Sequence, residues 1–423
     1  MDYNEAVKFL FNSIPNYQNK GKTALRPGLK NINILSKHFK NPQNKFKSIH
    51  IGGTNGKGTT STETANLCNS LGLKIGLFTS PHIYDFRERI QVNGKKIKKS
   101  FITNFIENNK AFFSKYDFSF FELTTIMAFE YFKYLKVELA IIEVGLGGRL
   151  DSTNIINPVI SLVTNVGSDH QNILGDNIID IAREKAGIIK TKTLFIKGER
   201  QENVDHVFLR ECLKKKSTYV DASSKVFIKT ISKNLTERKV RVLYNNQTFK
   251  IKLKNATNYF LKNFHSAFLL YSYIKENFKK NNSRATIENN DFKIFGRWNV
   301  ISIKPLIISD GCHNVEAFYQ VINEINNTFH DKVYFILGGI EDKNWNKIAG
   351  ILPKAYKYII TEPSIERAIS CDQLSSIFKK NKLHYIIKPD LNEAISYCKA
   401  ACDSNDLIFI GGSLFLISDY DEK

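Results

Sequence analysis

Residues 49–60 form the stretch that decides the fold, and they run Ile49-His50-Ile51-Gly52-Gly53-Thr54-Asn55-Gly56-Lys57-Gly58-Thr59-Thr60. An apolar segment leads into a glycine-rich turn, a lysine and the hydroxyl residues that open a polar helix. Such a turn directs backbone N–H groups and the positive end of a helix dipole at a bound phosphate, while Lys57 adds a point charge. The pattern departs from the strict phosphate-loop sequence G-x-x-x-x-G-K-[ST], because Ile51 replaces the first glycine and Gly58 displaces the hydroxyl residue by one. The stretch predicts a strand, a phosphate-binding loop and a helix, and a glycine-rich turn without a ligand is the alternative.

Length and composition indicate a globular chain of two domains. The 423 residues exceed what one hydrophobic core usually supports, and 42% apolar with 24% charged residues is an ordinary balance. No segment is long and apolar enough to cross a bilayer, and the N-terminus lacks the pattern of a signal peptide. The six cysteines are scattered without a CxxC pair, which is typical of reduced thiols. We therefore expect a cytoplasmic protein with no membrane partner.

The net charge of +20 raises the alternative of a nucleic-acid-binding protein. The lysines are spread along the whole chain, however, and no RNP, zinc-finger or helix-turn-helix signature accompanies them. We expect no nucleic acid partner, and the charge has the weaker role of steering anionic substrates such as nucleotides.

Apolar β-branched runs alternate with helical patterns along the chain, which is typical of parallel α/β architecture. The predicted strands are 48–51, 74–79, 139–144, 159–165, 193–197, 306–309, 333–338, 356–361, 384–387 and 407–411, and the predicted helices are 59–70, 100–115, 122–134 and 261–278. Two alternating runs around 245–247 predict a hairpin at 238–254, appended to the main sheet. We place a domain boundary near Gly296, which gives a first domain of 1–296 and a smaller second domain of 297–423.

Outside the glycine-rich loop, three further positions carry candidate chemistry. Glu143 ends a predicted buried strand and precedes glycines, where a carboxylate beside a phosphate loop typically binds or orients Mg²⁺. Taken alone, Glu143 could equally cap a turn or join an ion pair. His170 follows Asp169 at the end of the next strand, but a lone histidine is more often structural and Mg²⁺ prefers oxygen. By composition, Lys185 belongs only to a charged helical turn.

An ordered set of motifs resembles the folylpolyglutamate synthase/dihydrofolate synthase family, which is related to the Mur peptidoglycan ligases. The motifs are Gly53-Thr-Asn-Gly-Lys-Gly-Thr59, Thr79-Ser-Pro-His82, Glu88-Arg-Ile, Phe121-Glu122, Glu143-Val-Gly-Leu-Gly-Gly-Arg-Leu-Asp-Ser-Thr-Asn154, Asp169-His170, Arg183-Glu-Lys-Ala-Gly-Ile188, Gly296-Arg297 and Asp310-Gly-Cys-His-Asn314. They cover nearly the whole chain. The chain departs from the family pattern at Val315, where proline is usual, at Cys312, where alanine is common, and at Phe264, where alanine often follows the asparagine.

The resemblance implies an ATP-binding central domain, a Rossmann-like C-terminal domain and an active site between them. It also implies a ligase that joins L-glutamate to dihydropteroate, to the glutamate tail of folates, or to both. In that reaction the substrate carboxylate attacks the γ-phosphate of ATP, and the amino group of glutamate then displaces phosphate from the acyl phosphate. Phosphorylation supplies the leaving group that a carboxylate lacks, so the protein must neutralise charge and align the amine.

The resemblance also assigns roles to single residues. Contacts with ATP are implied for Asn55, Gly56, Lys57, Gly58, Thr59, Thr60, Asn263, Arg297 and Asp310. Two Mg²⁺ sites are implied, the first at Ser80 and Glu143 and the second at His170, and Lys185 matches a lysine that carries a carbamate beside the metals. The implied catalytic set is Lys57, Glu143, His170, Lys185 and Arg297, the last countering phosphoryl charge. Substrate contacts are implied for Phe121 and Asp151 near the pterin, with the loop 24–30 nearby, and for His313 and Ser413 near glutamate.

Two other classes of protein remain as alternatives. A nucleotide-binding ATPase or switch without ligase chemistry would explain the phosphate loop and Glu143, but not Lys185, His170 or the C-terminal motifs. A Mur-type amino-acid ligase would carry a longer domain before the loop, whereas about fifty residues precede it here. Gly58 argues in the same direction, since the Mur loop lacks that glycine. We expect the chain to act as a monomer.

We expect Lys57→Ala to remove the charge that positions the ATP phosphates and to cost most of the activity while the fold stays intact. Turnover with ATP and a circular dichroism spectrum measure the two effects. Near-normal turnover would refute the phosphate-binding assignment.

Overall fold

The structure, a computed structural model, describes residues 1–12, 28–278 and 292–420. Internal contacts divide the chain into two compact units. Unit 1 comprises Met1–Lys229, Arg241–Ile251 and Phe260–Ile294, and unit 2 comprises Thr230–Val240, Lys252–Tyr259 and Phe295–Lys423. The longest stretch of unit 2 thus begins beside Gly296, and two short earlier stretches join it. Of the predicted substrate loop 24–30, residues 24–27 lie outside the described part of the chain.

Unit 1 is built on an eight-stranded, mostly parallel sheet. Its strands are β1 Lys47–Gly52, β2 Ile75–Phe78, β3 Ile90–Val92, β4 Lys95–Lys96, β5 Leu139–Glu143, β6 Ile160–Val163, β7 Leu194–Lys197 and β8 Thr218–Asp221. The order is β4-β3-β2-β5-β1-β6-β7-β8, with parallel pairing from β2 to β8 and antiparallel pairing of β2, β3 and β4 at one edge. All residues of β2 and β5 are buried, as expected for parallel strands covered on both faces.

Three helices of unit 1 lie close to the predicted ranges 59–70, 100–115 and 122–134, and the other five among the described residues were not predicted. The helices are α1 Tyr3–Asn12, α2 Lys30–His38, α3 Lys57–Asn69, α4 Lys99–Phe113, α5 Phe120–Tyr134, α6 Gln171–Leu174, α7 Ile178–Ala186 and α8 Asp205–Lys215. Helix α5 begins two residues before the predicted start because Ser119 caps it, in a capping box with Glu122. None of the helices that the structure describes is long and apolar enough to cross a membrane.

The predicted hairpin is present, but it belongs to a sheet of its own. Strands β10 Glu237–Tyr244 and β11 Gln247–Lys254 pair around residues 245–246, and β9 Phe227–Lys233 adds a third strand to give the order β11-β10-β9. The sequence does not predict β9 because most of its side chains are exposed and its apolar pattern is weak. Helix α9 Asn258–Asn277 follows this sheet.

Unit 2 contains a six-stranded sheet with the order β12-β13-β17-β14-β15-β16. The strands are β12 Asn299–Ile303, β13 Leu306–Asp310, β14 Val333–Leu337, β15 Lys357–Ile360, β16 Tyr385–Ile387 and β17 Leu407–Gly411, and the helices are α10 Val315–Asn326, α11 Trp345–Ile351, α12 Cys371–Lys380, α13 Leu391–Ala401 and α14 Leu414–Ser418. Strand β12, which is antiparallel and only partly buried, is the one strand of this sheet that the sequence does not predict. The predicted fold class, a mostly parallel α/β sheet with a second, smaller α/β domain, is confirmed.

Candidate active site

The predicted phosphate loop and the predicted metal ligands meet at one edge of the sheet in unit 1. Strand β1 lies between β5 and β6, with Ile51 opposite Glu143 and Gly52 opposite Val163. Ser80 follows β2, the next neighbour of β5. Because ligands of α/β sheets bind at the carboxyl ends of their strands, this edge is the candidate active site.

The loop after β1 depends on backbone conformations that favour glycine. Gly53 has φ +142° and Gly56 has φ +80°. A side chain at Gly56 would overlap the carboxamide of Asn263, a residue of α9 that is 9% exposed. Gly56 has no side chain that could cap α3, and the positive end of the helix dipole lies at this turn.

Lys57 curls back over the loop that precedes it. Its ammonium donates hydrogen bonds to the carbonyl oxygens of Gly53, at 3.0 Å, and Thr54, at 3.2 Å. The hydroxyl residues of the first turn, Thr59 and Thr60, are buried. The site therefore places a cation and backbone donors around the same turn, which suits a chain of phosphates.

A second loop, which leads from β6 to His170, is bonded to the phosphate loop. The hydroxyl of Thr54 accepts from Gly167 N at 2.9 Å, and Asn165 Oδ1 accepts from Asn55 N at 3.0 Å. On the opposite side, the carboxamide of Gln201 pairs with both backbone groups of Val166, at 2.7 and 2.8 Å. No sequence motif points to Asn165 or Gln201, since an amide that binds backbone leaves no motif.

Glu143 is buried against the start of α3. It is 3% exposed, and its Oε2 accepts a hydrogen bond from Ser80 N at 3.0 Å. A Cβ on Gly58 would lie 3.7 Å from the same oxygen, which is an ordinary contact. Arg89 balances the charge of Glu143; burial lowers the pKa of Arg89 to about 9, while Glu143 and Glu88 oppose that shift. Glu143 is therefore a buried acidic group within the site, next to Arg89, rather than a solvated cap.

Lys185 is buried beside two other charged groups of the site. Only 3% of this residue of α7 is exposed. Burial, together with repulsion from Lys57, lowers the pKa of Lys185 to about 7, and the attraction of Asp169 opposes the shift. His170, which follows Asp169 in the chain, has a backbone φ of +53°, and its Nε2 lies 3.8 Å from Asp169 Oδ2. The helical turn that composition alone would leave on the surface thus contributes a buried amine with a lowered pKa to the site.

The donor set at this edge fits Mg²⁺. The described residues contain no group of three or more His, Cys, Asp or Glu side chains that could hold a metal by themselves. Mg²⁺ usually binds one or two protein oxygens together with water and substrate phosphates, so a protein cage is not required. Glu143 supplies a buried carboxylate and Ser80 a hydroxyl next to the phosphate loop.

Phe121 and Asp151, the predicted pterin contacts, both contact the glycine segment that follows β5: Phe121 packs against Gly145 and Asp151 ends the segment. The ring of Phe121 packs against Phe78, with centroids 5.9 Å apart, and against Gly145. Both carboxylate oxygens of Asp151 accept hydrogen bonds from its own loop, at 2.8 Å from Leu146 N and 3.0 Å from Thr153 N. The structure thus gives Asp151 a local structural role, and its contact with a substrate stays a prediction.

The remaining predicted residues lie in unit 2, at the carboxyl ends of neighbouring strands. Asp310 ends β13 opposite Gly411 of β17. Its carboxylate accepts from Trp298 N at 2.9 Å and Tyr259 OH at 2.5 Å, and Arg297 Nη1 lies 3.6 Å away. The two predicted glutamate contacts have local bonds of their own; His313 Nδ1 lies 2.9 Å from Gly311 O, and Ser413 caps α14.

Two family models match the chain. The Mur ligase middle domain matches residues 51–271, and the Mur ligase, glutamate ligase domain matches residues 296–414. These matches define the class of the protein as that of the Mur ligases.

Individual relatives narrow the class. The dihydrofolate synthase/folylpolyglutamate synthase of Buchnera aphidicola subsp. Schizaphis graminum is 30% identical over 98% of this chain and 96% of its own length. The chain belongs to the folylpolyglutamate synthase/dihydrofolate synthase family, which confirms the resemblance of its motifs. Another relative is the probable bifunctional folylpolyglutamate synthase/dihydropteroate synthase of Haloferax volcanii, which is 28% identical over 99% of this chain. The chain spans only about half of that relative's length, since the match covers 50% of it. A solved FPGS–AMPPCP complex is 26% identical, with a TM-score of 0.82 over 99% of this chain and 98% of its own.

We expect Gly56→Ala to destabilise the protein by about 1–2 kcal/mol or more, because alanine is strained at positive φ and its methyl group would overlap Asn263. Gly58→Ala is the matched control, since its methyl would make only ordinary contacts inside a helix. Urea unfolding of both variants provides the measurement. Equal stability of the two would contradict the geometry described for the loop.

Proposed function

We propose that the protein is an ATP-dependent ligase that joins L-glutamate to dihydropteroate, to the glutamate tail of folates, or to both. The observation that carries the proposal is the buried Lys185 next to Lys57 and Asp169, at the same edge as Glu143. A simple nucleotide switch has no use for a buried lysine with a lowered pKa at that position. The family of the chain and the AMPPCP complex of a relative support the same conclusion.

The reaction would proceed in two steps. An oxygen of the substrate carboxylate attacks the γ-phosphorus of ATP, and the bond to the β,γ-bridging oxygen breaks to release ADP. The amino group of glutamate then attacks the acyl carbon, phosphate leaves and the amine loses a proton. Lys57 and the N–H groups at the start of α3 would bind the phosphates and neutralise their charge during the transfer.

The residues proposed to hold Mg²⁺ divide into two sites. Ser80 and Glu143 would hold the first ion, and His170 with a carbamylated Lys185 would hold the second. When bound, the ions would offset negative charge on the transferred phosphoryl group. Ser80 and Glu143 are already in contact through the backbone of Ser80, which orients the carboxylate.

Carbamylation of Lys185 is supported by the environment of its amine. CO₂ reacts only with a neutral amine, and an ordinary lysine is neutral in roughly one molecule in a thousand near pH 7.4. With a pKa of about 7, Lys185 is neutral in a large fraction of molecules at that pH. The carbamate would turn the amine of Lys185, which lies beside Lys57, into an anion with oxygen donors. Its formation should increase as the pH rises through 7, because the fraction of neutral Lys185 increases.

For unit 2 we propose that Arg297 and Asp310 contact the nucleotide and that His313 and Ser413 help to bind glutamate. Asp310 holds the backbone of Trp298 and faces Arg297, so it orients the guanidinium. On unit 1, Phe121 would contact the pterin. We also propose a monomer that works in the cytoplasm, which agrees with six cysteines that form no disulfide.

The proposed function is tested by ADP release from the purified protein with ATP, Mg²⁺ and labelled glutamate, with dihydropteroate and tetrahydrofolate offered separately. We expect turnover only when glutamate and a pteroate-type acceptor are both present. Turnover at full rate without glutamate would identify an ATPase or switch, and turnover with a muramoyl acceptor alone would identify a Mur-type ligase.

We expect Lys185→Ala to lower kcat at least about 100-fold, because the second metal site loses its proposed anionic ligand. A short carboxylic acid such as acetate should restore part of the activity by occupying the vacated space. Lys214→Ala, which removes an exposed lysine of α8, is the control and should behave like the unaltered protein. Full activity of Lys185→Ala without added acid would show that Lys185 is only a structural residue.

A further inference from the structure

His50, which lies in β1 just before the phosphate loop, takes part in a buried chain of hydrogen bonds. The side chain is completely buried, and its Nε2 lies 2.8 Å from Thr153 Oγ1. The hydroxyl of Thr153 donates in turn to Asp151 Oδ1. Neither His50 nor Thr153 has a role in the proposed chemistry, and the chain of bonds is too buried to be a solvated surface feature.

The direction of these bonds can be assigned from the donors around Asp151. Its carboxylate accepts from Leu146 N, from Thr153 N and from the hydroxyl of Thr153. Burial raises the pKa of Asp151, and these hydrogen bonds oppose that rise because they favour the ionised form. Because the single hydroxyl proton of Thr153 goes to Asp151, His50 must donate its Nε2 proton to Thr153. Burial lowers the pKa of His50 to about 3, so the ring is neutral and carries one proton. The other ring nitrogen, Nδ1, has no hydrogen-bond partner among the described residues and is the nitrogen without the proton.

The carboxylate of Asp151 bonds to the backbone of the glycine segment, defined as residues 144–151. This segment lies between Phe121 and the helical turn that carries Lys185. On one side, a methyl group at Gly145 would lie 2.5 Å from the ring of Phe121. On the other side, a methyl group at Gly148 would lie 2.8 Å from Glu184 O and 3.1 Å from Lys185 O. Arg149 N also donates to Glu184 O at 2.8 Å. The segment therefore packs tightly both on Phe121 and on the turn of α7 that carries Lys185.

We propose that His50 and Thr153 are positioning residues, which fix the glycine segment against Phe121 and Lys185 through Asp151. This inference rests on the proposed function only for the identity of the substrates. His50 anchors the segment to β1, the strand that leads into the phosphate loop. Movement of Asp151 would loosen the backbone of Gly145 under the Phe121 ring, so the folate-type acceptor is the substrate most affected.

The first test compares Thr153→Val with Thr153→Ser. Valine has nearly the shape of threonine and keeps the backbone bond to Asp151, but it removes the hydroxyl, whereas serine keeps it. We expect Thr153→Val to raise KM for the pteroate acceptor roughly tenfold, the loss typical of one hydrogen bond to a charge, with KM for ATP changed less than about twofold. Thr153→Ser should resemble the unaltered protein, as should the control Thr218→Val on the exposed start of β8.

A second pair of variants tests the histidine. His50→Gln retains an N–H donor towards Thr153 and should raise the acceptor KM less than His50→Leu, which has none. The ring nitrogens of His50 in the ¹⁵N-labelled protein should show a protonated Nε2 and a bare Nδ1. The opposite tautomer, equal KM values for Thr153→Val and Thr153→Ser, or a lower melting temperature with unchanged KM would each overturn the proposal.

Hydrogen exchange separates this proposal from the proposed function. Thr153→Val should increase amide exchange in residues 144–151, while Thr218→Val should not, whichever reaction the protein catalyses. If the unaltered protein shows no glutamate-dependent turnover, the proposed function fails, and this exchange result together with the tautomer of His50 still decides the role of the hydrogen-bond chain. Unchanged amide exchange in residues 144–151 of Thr153→Val would overturn the proposed positioning role of His50 and Thr153.

Discussion

The backbone at Gly56 is the constraint on which the rest of the site depends. With φ +80° and Asn263 packed against it, this position has no room for a side chain, so β1 turns directly into α3. The turn brings Lys57 and the first N–H groups of the helix to the sheet edge that also carries Glu143. The proposed phosphate site is thus built first from backbone geometry and then from added charge.

Around this turn, the protein buries charges in an arrangement that favours chemistry over stability. Lys57 and Lys185 repel each other, and Asp169 only partly offsets the repulsion. Glu143 has a buried arginine as its partner rather than solvent. Such perturbed groups concentrate at functional sites, because a neutral lysine or an unsolvated carboxylate has a reactivity that the same side chain lacks in water. The apolar core of the parallel sheet holds these groups in place.

Much of the fold followed from local patterns. Buried strands such as β5 and β17 are continuous apolar runs, and the structure places them within a residue of the predicted bounds. The patterns missed β3, β4, β8, β9 and β12. Strands β3 and β4 have only three and two residues, too few to show an apolar period, and the residues of β9 and β12 are at least partly exposed. In the site, the motifs identified the loop and the candidate metal ligands, whereas Gln201 was missed and Asp151 proved to have bonds within its own loop.

By itself, the sequence determined the glycine-rich loop, most of the buried strands and the family, because glycines, periodic apolar residues and ordered motifs are local properties of the chain. Only the tertiary structure decided which charges meet. The pKa of Lys185 depends on burial and on Lys57, which lies 128 positions earlier in the chain, and the hydrogen bonds of Asp151 depend on His50, a hundred and one positions away. These interactions depend on how close two side chains lie in the folded protein, and that distance is fixed by the order of the strands only once the sheet has formed.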